Sequence, residues 1–131
     1  MNEYAKRNYW FEGAAYDLQT AKAMLETKRY LYVGFMCHQT IEKALKGVFV
    51  SRHPDAELPY IHKLVRLSNL AGITEDMDEA QLSLLDTLNP LNIEARYPLH
   101  RSMLFASLTP ERCRDLIAET EAMLQWLSLK C

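Results

Sequence analysis

One short run gathers the groups most able to do chemistry: His38-Gln39-Thr40-Ile41-Glu42-Lys43-Ala44-Leu45-Lys46. On a helix, residues three and four apart are neighbours. That spacing puts His38, Glu42 and Lys46 on one line and Gln39 and Lys43 on the line beside it. The face offers an imidazole, an amide, a carboxylate and two ammonium groups, which suit proton exchange and anion binding. The same spacing also describes a solvated helix face carrying i,i+4 ion pairs, worth ~0.2–0.5 kcal/mol each. Gln39 and Glu42 flank Ile41 and so lie close to the apolar side. A carboxylate buried there needs a partner.

A second constellation follows at Ile93-Glu94-Ala95-Arg96-Tyr97-Pro98-Leu99-His100-Arg101. Arginine presents a planar fork of donors to phosphate. Histidine moves protons near neutral pH, and tyrosine stacks on a base. This makes Arg96, Tyr97 and His100 candidates for a phosphate or RNA site. The structural alternative is that Arg96 pairs with a carboxylate such as Glu42 and ties the segment down.

The remaining polar residues point to less. His62 follows Pro59 and Tyr60 and reads as a neutral histidine, hydrogen-bonded inside the fold. His53, beside Pro54, reads as a surface residue. The histidines lack an HExxH spacing, and Cys37, Cys113 and Cys131 lack a CxxC spacing, so the expectation is no metal site. No cofactor is implied. An odd number of cysteines without metal spacing reads as reduced thiols in a cytoplasmic protein.

These residues need elements to hold them. The first expected helix runs from about Tyr4 to Thr27, with Trp10, Ala14, Leu18, Ala21 and Leu25 forming an apolar stripe and Asp17, Lys22 and Glu26 off it. A polar Thr27-Lys28-Arg29 link implies an antiparallel neighbour. The second helix runs from about Tyr30 to Ser51 and carries the first constellation. Its Gly34 and Gly47 cost helix propensity, about 1 kcal/mol each against alanine, and a close helix crossing would account for them.

Pro54 and Pro59 bound a loop. A third helix is expected over about Ile61 to Ala71, with Leu64, Leu67 and Leu70 inward and Gly72 ending it in the left-handed region. Asp76 and Glu79 resemble a capping box opening a fourth helix, with Leu84, Leu85 and Leu88 as its core and Pro90 at its end. Residues 89–108 show no clean period. The last helix has Thr109 as N-cap, Pro110 at N1 and Glu111 in the first turn. Leu116, Thr120, Met123, Leu124 and Leu127 then carry it onward.

The sequence therefore reads as one domain over residues 1–131, all-α, an up-and-down bundle of four to five helices. Its 131 residues suffice for one self-sufficient core, and the 4 glycines and 5 prolines imply few turns. The 49% hydrophobic and 24% charged shares are those of a soluble globular chain. A formal net charge of −2 is not that of a protein coating nucleic acid through its phosphates. The opening MNEYAKRNYWFEGAAYDL is too polar for a secretory signal. No apolar run approaches the roughly 20 residues of a membrane span.

Four motifs in order carry a resemblance: Trp10 with Ala14-x-x-Asp17-Leu18; His38-Gln39-x-x-Glu42-Lys43-Ala44-Leu45-Lys46; His62-Lys63-Leu64 with Leu67; and Ala95-Arg96-Tyr97-Pro98. Together they resemble the HEPN family, the higher eukaryote and prokaryote nucleotide-binding domain, over nearly the whole chain. The resemblance implies a helical bundle that pairs as a homodimer and associates with nucleotide or RNA. It also implies a minimal nucleotidyltransferase as partner in a toxin–antitoxin-type module.

The ligand-binding set would be Arg96, Tyr97, Glu42, Lys43, Lys46, His38 and Gln39, with Glu42 orienting Arg96. Two alternatives stand beside this reading. One is a metal-independent ribonuclease with Arg96 and His100 as its catalytic pair. The other is a structural dimerisation domain without a ligand. The ribonuclease pattern places four to six residues between arginine and histidine, whereas Arg96 and His100 have three between them, with Pro98 inside the interval.

Overall fold

A computed structural model describes residues 2–92 and 106–131. Helix α1 spans Glu3–Glu26, α2 Tyr30–Arg52, α3 Leu64–Ala71, α4 Glu79–Leu88 and α5 Pro110–Ser128. Short 3-10 turns occupy Thr74–Asp76 and Asn89–Asn92. The described residues contain helices and no strand, in agreement with the all-α expectation.

Side chains satisfy the free amides at the starts of α1 and α5. Asn2 Oδ1 accepts from Ala5 N at 2.8 Å, and Thr109 Oγ1 accepts from Arg112 N at 3.1 Å with Pro110 at N1. The three-residue link after α1 turns back through Lys28 at φ 63°. Contacts then fix the directions. Trp10 and Phe11 meet Gly47 while Gly13 and Asp17 meet Lys43, so α1 and α2 are antiparallel. Lys22 pairs with Glu121 and Arg7 Nη2 donates to Ser128 O, so α5 also runs against α1.

Helix α2 is central, buried around most of its circumference. Ile41, Leu45, Leu64, Leu67, Leu85, Leu88, Leu116, Met123 and Leu127 are among the buried side chains of the core around it. The two glycines of α2 are explained by close approach. A Cβ on Gly47 would lie 2.6 Å from Phe11 Cε2, and one on Gly34 2.9 Å from Leu91 Cδ1. Gly72 ends α3 at φ 77°, as a left-handed C-cap should.

The structure corrects three expectations. Helix α3 begins at Leu64 rather than Ile61, because Asn89 Oδ1 takes the Leu64 N–H at 3.0 Å and Lys63 stays extended. Leu70 is 41% exposed rather than inward. The capping box of α4 is Asp78 with Gln81, both bonds being present, whereas Asp76 closes the preceding 3-10 turn. Asp17, off the apolar stripe of α1, is nonetheless buried, with its Oδ2 2.7 Å from Lys43 Nζ.

Candidate functional site

The polar line on α2 is not a solvated face. His38, Glu42 and Lys46 are all buried. Helical spacing stacks them one turn apart, so His38 Nε2 lies 3.2 Å from Glu42 Oε1 and Lys46 Nζ 3.1 Å from Glu42 Oε2. A third group arrives from the chain ahead of α3. His62 Nδ1 lies 3.1 Å from Glu42 Oε2 and 3.2 Å from Oε1. One buried carboxylate thus gathers an ammonium and two imidazoles.

Proton bookkeeping at His38 follows from its partners. A carbonyl oxygen only accepts, so Nδ1 donates to Leu88 O at 2.9 Å. Nε2 faces the Glu42 carboxylate, and a bond there also needs an N–H.

Burial is the largest influence on Glu42 and pushes its carboxyl up. The hydrogen bonds from His38, Lys46 and His62, with the Lys46 charge, outweigh it and hold the carboxyl at about 2 against an ordinary 4.5. Lys46 Nζ also stands 5.5 Å from the centre of the Trp10 ring, a cation–π distance.

The other candidates on α2 do different work. Lys43 turns to Asp17 on α1, an ion pair separate from the cluster. Gln39 Nε2 donates to Asn92 Oδ1 at 3.0 Å and ties α2 to the turn after α4. Arg96, Tyr97 and His100 lie outside the described residues, as does any pairing of Arg96 with Glu42.

His62 departs most from its sequence reading. Its side chain is 55% exposed, and the ring bridges the buried Glu42 and an open groove. The Pro59-Tyr60-Ile61 approach, which keeps His62 off the helix, was the available signal. What the sequence could not reveal is that the ring lands on Glu42, 20 residues away along the chain.

The groove has a volume of about 510 Å³ and is bordered by Tyr60, His62, Lys63, Arg66, Asn89 and Asn92. A smaller hollow of about 240 Å³ has acidic rather than basic residues on its border, Asp78 and Glu119. Among the described residues no group of three or more His, Cys, Asp or Glu side chains could hold a metal ion. No helix of the described residues is long and apolar enough to cross a membrane. Burial pushes the Cys37 thiol up to about 12 and also raises Cys113, so neither is a thiolate nucleophile.

The HEPN domain family model matches residues 8–130, which spans α1 to α5 and every group of the cluster. The chain belongs to the HEPN domain family. The HEPN bundle is also that of a solved protein, TT1696 from Thermus thermophilus, known from its crystal structure. The likeness has a TM-score of 0.78 and 24% sequence identity and covers 100% of both chains. At that identity it establishes the fold alone. No curated protein matches the chain. Membership places this HEPN chain with nucleotide- and RNA-related modules in general.

Proposed function

We propose that the chain is a HEPN module that binds the phosphate of a nucleotide or RNA. The observation carrying this reading is the charge balance around Glu42. One carboxylate faces the Lys46 ammonium and two imidazoles, His38 and His62. With Lys63 and Arg66 on the adjoining groove, cations outnumber this one carboxylate, which favours an anion. Lys63 and Arg66 extend the same sign outward.

Within this reading Arg96 grips phosphate, Tyr97 stacks or packs beneath it and His100 completes the donor set. Lys43 and Gln39 act indirectly, Lys43 by holding α1 against α2 and Gln39 by fixing Asn92. Two copies of the chain form the working unit. Family membership alone supports that pairing, and it alone supports a minimal nucleotidyltransferase as protein partner in a toxin–antitoxin-type pair.

Calorimetric titration with ATP, GTP and short RNA tests the proposal. Binding supports it, and no heat from any of the three at millimolar concentration defeats it. The ribonuclease alternative is tested by RNA cleavage without divalent metal. Cleavage by the wild-type chain that disappears in His100→Ala would replace the binding reading with a catalytic one.

A further inference from the structure

The donors around the groove are arranged for one kind of ligand. His62, Lys63 and Arg66 come from one short segment at the start of α3. None of the groove's bordering residues carries a carboxylate. The two amides complete the pattern. Asn89 Oδ1 is engaged by Leu64 N at 3.0 Å and Asn92 Oδ1 by Gln39 Nε2 at 3.0 Å. With one acceptor site of each amide already engaged, each Nδ2–H2 group still offers donors to a ligand. The groove thus presents donors and cations.

One of these donors is anchored in the core. His62 is held through Nδ1 by a carboxylate that is itself 5% exposed. The ring is therefore fixed in orientation, with Nε2 left for a ligand, as an imidazole is fixed when its other nitrogen is engaged. The positive end of α3 begins at Leu64, beside these donors. Tyr60 is 99% exposed. A fully solvated aromatic ring next to a cationic groove is an arrangement that stacks a base while its phosphate is held. A volume of about 510 Å³ falls within the ~300–1,000 Å³ of small-ligand sites.

We infer that this groove is a nucleoside-phosphate site. Lys63 and Arg66 take the phosphate beside the Glu42-held His62, and Tyr60 stacks on the base. The inference rests on the proposed function and adds Tyr60, Lys63 and Arg66 to the phosphate-binding residues named there. The same unit occurs in a free nucleotide and in a single RNA strand.

Fluorescence anisotropy with a labelled short RNA and calorimetry with ATP test it on the full chain. The variants are Tyr60→Ala and the double variant Lys63→Ala/Arg66→Ala. All three positions are exposed, and an unchanged thermal melt verifies that each variant folds. Tyr60→Ala should weaken binding on the order of ten-fold. The double variant should weaken it further and flatten the slope of log affinity against log salt by roughly 1.4, at about 0.7 per phosphate contact on a single strand.

Tighter binding of RNA than of ATP assigns the groove to a strand, and equal or tighter binding of ATP assigns it to free nucleotide. RNA that binds wild type but whose affinity changes less than about two-fold in both variants, well short of the loss of a stacked base, overturns the groove and leaves the proposed function standing. A wild-type chain that binds neither probe at millimolar concentration overturns both.

Discussion

Replacing Glu42 with glutamine keeps the side chain's shape and removes its charge. Lys46, whose side chain is 9% exposed, then holds a buried ammonium without its counter-ion 3.1 Å away. One imidazole donor also meets an amide NH2 instead of an oxygen. Removing one member of a buried pair costs about 3–5 kcal/mol. The titration of the carboxyl gives a second route to the figure. Holding it at about 2 against an ordinary 4.5 corresponds to roughly 3 kcal/mol, at about 1.4 kcal/mol per pH unit.

The sign follows from linkage. The folded-state value lies below the unfolded one, so the stabilisation is fully present above pH 4.5 and is lost as pH falls through about 2. Urea denaturation of wild type and Glu42→Gln should therefore differ by on the order of 3 kcal/mol at neutral pH. More than half of that gap should be gone by about pH 3, because the carboxyl of the unfolded chain is then protonated and must release its proton on folding. Other carboxylates titrate alike in both proteins and cancel. A gap under about 0.5 kcal/mol at neutral pH, the size of an ordinary surface change, or a gap that fails to narrow in acid, would refute the buried-hub account of Glu42.

Three further outcomes follow from the same structure. Gly47→Ala should lower stability by about 1–3 kcal/mol, since the new methyl would press on Phe11 at 2.6 Å and overpacking exceeds the helix-propensity gain; a thermal melt reads it, and a stabilised variant would contradict the close crossing. Of the three thiols, Cys131 is exposed while Cys37 and Cys113 are buried, so Ellman's reagent should titrate one equivalent in the native protein and three in denaturant. Thr109→Ala should cost about 1 kcal/mol through loss of the α5 N-cap bond, measured by the urea midpoint.

The helices were legible because periodicity and caps are local. Thr109-Pro110 and Gly72 stand where the sequence puts them, and Gly47 marks the helix crossing its cost implied, whereas Gly34 meets Leu91 of the Asn89–Asn92 turn and Leu108 instead. The misreadings have tertiary causes. Nothing local announces that Asn89 caps α3 from 25 residues away, or that Asp17 faces Lys43 across a helix pair. The α2 line was legible as a set, but its burial was not, since i,i+4 spacing alone does not say which side faces the core. His62 looked structural because its partner and its exposure are both set by a loop whose path no period encodes. Tyr60, Lys63 and Arg66 were not among the candidate binding residues of the sequence, because three ordinary surface residues become a groove only when α3 packs beside the Asn89–Asn92 turn.

Backbone chemical-shift mapping tests the central claim most directly. Two-dimensional NMR spectra of the isotope-labelled chain, recorded while ATP or a short RNA is added, report every amide near the ligand. Binding at the Glu42-anchored face predicts saturable shifts concentrated at Tyr60 to Arg66 and at Asn89 to Asn92. Spectra that stay unchanged to millimolar ligand, or shifts confined to the hollow beside Asp78 and Glu119, would contradict it.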